Sequence, residues 1–73
     1  MKTAESDFRT LTSRGSWIAT IRPQSRGINH AVVVDGFDAA GNVVFRDPAD
    51  GMIKTMTLSH FIEIWTLEAV ALL

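Results

Sequence analysis

Asn29-His30-Ala31-Val32-Val33-Val34-Asp35-Gly36-Phe37, then Asp38-Ala39-Ala40-Gly41-Asn42, then Val43-Val44-Phe45-Arg46-Asp47-Pro48 is the stretch on which the fold turns. Two runs rich in β-branched and aromatic residues flank a short Asp, Gly and Asn segment, the pattern of an antiparallel hairpin. The Val32-Val33-Val34 run predicts cover on both faces of its strand. Pro48 has no amide hydrogen for a ladder, so the second strand ends at Asp47. With Asp38 to Gly41 as the turn, Phe37 pairs with Asn42 and Asp47 falls opposite Val32. Val32 shares a face with His30, because strand side chains alternate with period two. His30 and Asp47 are then diagonal neighbours, roughly 7–8 Å apart at the backbone and closer at their tips. A slip of one residue would put them on opposite faces.

Outward from the hairpin, residues 3–14 predict a helix. Thr3 or Ser6 caps it, Glu5 and Asp7 lie in the first turn where the helix dipole favours acids, and Phe8 and Leu11 form a short apolar stripe. Gly15 is placed to end it. Residues 16–22, Ser-Trp-Ile-Ala-Thr-Ile-Arg, predict a strand, followed by a loop over Pro23 and Gln24-Ser25-Arg26-Gly27. After the hairpin, Asp50-Gly51 turns the chain into a strand over residues 52–57. A helix is expected over about 58–65, capped by Thr57 or Ser59, with Phe61, Ile62 and Trp65 as its buried side. Residues 66–73 predict the last strand. The order α-β-β-β-β-α-β describes an α+β domain: an antiparallel sheet of about five strands, an N-terminal helix and a second helix before the last strand. Residues 1–73 are expected to form a single domain.

Composition removes several classes of function. The chain has 73 residues, no cysteine and two histidines. Disulfides, thiolate metal sites and a thiol nucleophile are therefore excluded within it, and a dedicated zinc site is not expected. The longest apolar run, Ala69 to Leu73, is far short of the roughly 20 residues a membrane span needs. The polar N-terminus, Met1 to Asp7, carries no visible secretory signal. A net charge of −1 gives no general pull toward nucleic acid or membrane. The charge is uneven all the same: residues 1–30 hold five basic and two acidic side chains, residues 31–73 two basic and six acidic. Base stacking would want aromatic residues among the basic ones, and only Phe8 and Trp17 lie there. No cofactor is expected.

Among the residues able to carry chemistry, His30 and Asp47 stand first. A carboxylate beside an imidazole fixes its tautomer and stabilises the imidazolium, which is the orienter and base of a nucleophilic triad. The same pair also serves as a plain polar contact at a strand end. His60 fits the first turn of a surface helix. Asp35 and Arg46 fall on the face opposite His30 and read as a structural cross-strand pair. Trp17 and Trp65 read as core. Gly36, Gly41 and Gly51 follow turn logic, and none precedes a helix as a phosphate-binding loop would. Asp47 and Asp50 crowd one turn and make a poor glycosidase pair.

The hairpin from Asn29 to Phe37 and from Gly41 to Pro48 resembles the His-to-Asp hairpin of papain-like cysteine peptidases. The likeness is closest to the bacteriocin-leader-processing, or double-glycine, peptidase family. The helix, glycine and apolar strand Trp17-Ile18-Ala19-Thr20-Ile21 upstream fit that pattern. So does the stretch Leu58-Ser59-His60-Phe61-Ile62-Glu63-Ile64-Trp65-Thr66, which looks like the family's closing helix. The resemblance covers roughly residues 8–73 and implies the C-terminal half of a papain-like fold. It matches His30 to the general base and Asp47 to its orienter. In the family a cysteine opens a helix in the N-terminal half, preceded by an oxyanion-hole glutamine. This chain has no cysteine, and Gln24, in a loop after the first strand, does not take that glutamine's place.

Three readings follow. The chain is the His/Asp-contributing half of a cysteine peptidase or amidohydrolase, inactive until a Cys-bearing half-domain complements it. Or it is a degenerate, non-catalytic module that binds a peptide or protein partner, or a second copy as a homo-oligomer, through an uncovered sheet face carrying Trp17, Val32, Val34 and Phe45. Or it is a structural domain in which His30 and Asp47 are incidental.

Overall fold

A computed structural model describes residues 3–23 and 27–72. The expectations placed on Gln24, Ser25 and Arg26 of the first loop, and on Leu73 at the end of the last strand, lie outside the described residues. Seven elements follow in the expected order: α1 (Ala4–Thr12), β1 (Trp17–Ile21), β2 (His30–Phe37), β3 (Val43–Asp47), β4 (Met52–Met56), α2 (Leu58–Ile64) and β5 (Trp65–Ala71). The strands form one antiparallel sheet in the order β4-β3-β2-β1-β5. The fold is the α+β arrangement that the sequence pattern implies.

Local chemistry sets the element ends. Thr3 caps α1, its hydroxyl accepting the Ser6 amide at 3.1 Å, and Thr57 caps α2 by accepting the His60 amide at 3.3 Å. Trp65 leaves α2 in an extended conformation, so β5 begins there rather than at Thr66. On α2 the buried side is Phe61 and Ile64, with Ile62 only half-buried, and the buried Trp65 belongs to β5.

The hairpin register differs from the simplest expectation. The Asp38 carboxylate accepts the amides of Ala40 and Asn42, both at 2.9 Å, and the Asp38 amide donates to the Asn42 carbonyl at 2.9 Å. This closure pairs Phe37 with Val43, not with Asn42. An irregularity between Val34 and Gly36 then takes up one extra residue, and beyond it Val34 pairs with Phe45 and Val33 with Arg46. Gly36 holds φ at +151°, which a side chain would resist, so the bulge falls where glycine stands. Past the bulge the register is the expected one.

Both helices lie on the same side of the sheet. Phe8 of α1 makes edge-to-face contacts with Trp17 (5.2 Å between ring centroids), Phe37 (5.9 Å), Phe61 (5.3 Å) and Trp65 (5.7 Å), and Phe61 continues to Phe45 at 5.5 Å. The buried indoles keep their polar ends satisfied: Trp17 Nε1 donates to Thr12 Oγ1 and Trp65 Nε1 to the Glu68 carbonyl. Trp17, Val32, Val34 and Phe45 are thus core residues under the helices and offer no free face. The face that stays open is the other one, on which Ile18 pairs with Val70, and Val33, Arg46 and Ile53 continue the row. Val33 is half-buried and Ile53 is 69% exposed, so the valine run has full cover on one face only.

The core depends heavily on one ring. Phe8→Ala is expected to cost about 3–5 kcal/mol, enough to abolish cooperative unfolding in a domain this small. Phe8→Leu should cost less and keep the transition. Chemical denaturation followed by tryptophan fluorescence checks this, and an unaltered midpoint for Phe8→Ala would contradict it.

Candidate functional site

His30 opens β2 and Asp47 closes β3, so adjacent strands bring both to one end of the sheet. Both belong to the helix-covered face, as the alternation places them: Val32 and Val34 follow His30 into the core, and Val43 and Phe45 precede Asp47. His30 Nε2 lies 2.7 Å from Asp47 Oδ1. Their side chains are 23% and 11% exposed, a half-sheltered pair at the rim of the core.

Asp47 is a buried acid with three donors around it. Besides His30, the Ala49 amide donates to Oδ1 at 3.0 Å and Lys54 Nζ donates to Oδ2 at 3.0 Å. Pro48 explains part of this: it offers no amide, so the first one able to turn back on the carboxylate is that of Ala49. The Gly51 amide closes the turn on the Asp47 carbonyl at 2.8 Å. Burial pushes the Asp47 carboxyl up, but the hydrogen bonds from Lys54, Ala49 and His30 outweigh it and hold the group down at about 2.

An ionised carboxylate only accepts hydrogen bonds, so the proton between the two groups sits on His30 Nε2. Neutral His30 then carries its lone pair on Nδ1, the nitrogen left for an outside proton donor. Chemically, the arrangement can hold the ring in one tautomer and take a proton at Nδ1.

Lys54 is the residue that sequence reasoning missed. It pairs with Phe45 across β3 and β4, and its ammonium bridges Asp47 Oδ2 and Asp50 Oδ2, the latter at 2.8 Å. The signal was present in the alternation of Met52, Lys54 and Met56, which puts a lysine on the apolar face. Asp50 joins the cluster through Lys54 rather than as a partner carboxylate for Asp47. The other expected placements agree with the structure. His60 is exposed, and Asp35 takes both Arg46 Nε and Nη2, at 2.7 and 2.9 Å, on the open face, where it also accepts the Ser16 hydroxyl. Among the described residues no group of three or more metal-ligating side chains gathers, and no helix is long and apolar enough to cross a membrane.

Comparison with known proteins shows the family of the chain. A model of the Peptidase_C39 like family matches residues 2–69. Cysteine protease effector 1 of Escherichia coli O1:K1:H7 is 37% identical to the chain over 67 residues, which are 92% of the chain. The chain spans 14% of the length of that relative.

The depressed Asp47 carboxyl predicts a specific acid sensitivity. Its stabilising effect is complete above the unfolded value near pH 4 and is lost as pH falls toward about 2. Between those limits the native chain should lose on the order of 2 kcal/mol more stability than Asp47→Asn. Urea titrations at a series of pH values measure it, and parallel curves for the two proteins would contradict it.

Proposed function

The chain belongs to the Peptidase_C39 like family, related to the papain-like cysteine peptidases, and from that premise we propose that it supplies the base and orienter of a cysteine peptidase or amidohydrolase. On this reading residues 1–73 are the C-terminal, sheet-bearing half of a papain-like domain, of the double-glycine peptidase type. The observation that carries it is the 2.7 Å contact between His30 Nε2 and Asp47 Oδ1 in a family-matched segment. The name of the Escherichia coli relative supports the same chemistry.

The sequence contains no cysteine, so the nucleophile comes from a second segment, either in a longer protein or on another chain. A thiol brought within about 3–4 Å of His30 Nδ1 would lose its proton to that nitrogen. The thiolate attacks the substrate carbonyl, and the imidazolium, steadied by ionised Asp47, returns the proton to the leaving amine. The oxyanion donor would come from the same complementing segment. Alone, the chain is inactive.

Co-expression with a neighbouring Cys-bearing reading frame, followed by a thiol-directed activity probe, tests this. The native chain should promote labelling of that cysteine, and His30→Ala should reduce the labelling rate by about 100-fold or more. Labelling that is absent, or indifferent to His30→Ala, would defeat the proposal.

A second reading, a non-catalytic module that binds a peptide, rests on β4, an edge strand whose Met52 and Ile53 are both exposed. A peptide could add to that edge through its backbone. If so, an Ile53→Pro variant, which blocks edge pairing, should lose peptide binding while the fold persists. Light scattering on the native chain distinguishes this from self-association through the same edge.

A further inference from the structure

Lys54 lies outside the His30–Asp47 contact, yet two ion pairs fix its ammonium, one of them to the Asp47 carboxylate. Its ammonium sits 3.0 Å from Asp47 Oδ2 and 2.8 Å from Asp50 Oδ2. Asp50 is itself held, because the Met52 amide donates to its Oδ1 at 2.9 Å. The two oxygens of Asp47 are thereby divided: Oδ2 faces Lys54, and Oδ1 faces His30 and the Ala49 amide.

We propose that Lys54 is a positioning residue for the His30–Asp47 pair, fixing the carboxylate with Oδ1 toward the imidazole and offsetting part of its negative charge. This rests on the proposed function, since it assigns a role within the same site. A carboxylate facing a histidine favours the imidazolium. An ammonium on the far oxygen weakens that pull and adds its own repulsion of the imidazolium. Both effects act in one direction, against the imidazolium. A merely structural ion pair is the competing account.

The other charges near His30 are few. β1 sets Ile21 opposite it. Arg22, the next residue, turns its Nε to the Gly27 carbonyl at 3.1 Å. The remaining titratable side chains on the elements covering this face are Glu5, Asp7 and Arg9 of α1, His60 and Glu63 of α2 and Glu68 of β5. None of them hydrogen-bonds or ion-pairs with His30 among the described residues. Asp47 is its direct charged partner, and Lys54 and Asp50 form the shell behind.

NMR titration of the histidine ring signals in the 73-residue chain tests the proposal without a nucleophile. In Lys54→Met and Lys54→Gln the midpoint of the His30 signals should rise by about 0.5–1 pH unit relative to the native chain. Lys54→Arg keeps the charge and should stay close to native. His60, exposed on α2, is the internal control and should not move. A His30 midpoint unchanged or lowered in both neutral variants would overturn the proposal, as would an equal movement of His60. Lys54→Gln stands in if the methionine variant fails to fold. A failed labelling experiment would leave this result standing, and a flat titration would leave the labelling result standing.

Discussion

Phe8 is the contact on which the rest of the molecule depends. Helix α1 has nine residues and α2 seven, and isolated helices shorter than about 12–15 residues are marginal in water. Each is helical because it has a surface to lie on, and one ring at the centre touches that surface and the other helix together. Among the described residues the sheet has cover on one face only, so its large buried side chains gather there. The site inherits this arrangement, because His30 and Asp47 lie on the covered face at the end where β2 begins and β3 ends.

The bulge between Val34 and Gly36 lets β2 serve both ends of that face. With strict alternation from His30, the covered face would receive Val32, Val34 and then Gly36, leaving Phe37 outside. Phe37 instead packs against Phe8, and His30 still faces Asp47, although the two positions differ by an odd number of residues. The extra residue is Asp35, whose carboxylate turns to the open face and is held there by Arg46 and Ser16. Bulge, glycine and ion pair reconcile an aromatic core with a polar end.

The element order, the caps and the facing of His30 and Asp47 were legible because each has a short-range signature. Threonine before each helix, the proline after Asp47 and the alternation along the hairpin are of that kind. The register beside the turn was not legible: it depends on the Asp38 carboxylate bonding two amides, and the bulge then cancels the difference. Nor was the choice of covered face. Strand alternation tells which residues share a face, but not on which face two helices will settle. Lys54 was hidden for a related reason. Its role depends on the pairing of β4 with β3, a contact set by tertiary packing, and a lysine in a strand ordinarily reads as solvated.

A carboxylate at the rim of an apolar core is costly unless its charge is answered. If His30 were its only partner, Asp47 would be fully compensated only with the imidazole protonated, and the fold would favour the imidazolium. The ammonium of Lys54 supplies a counter-charge that does not depend on the state of the histidine, and the Ala49 amide adds a neutral donor. Compensation of Asp47 therefore does not rest on His30 alone. On the proposed reading of His30 as a base, partners of this kind let it gain and lose a proton in each cycle, at the cost of a lysine on the partly apolar face of an edge strand. A sheet built for stability alone would have placed an apolar residue between Met52 and Met56.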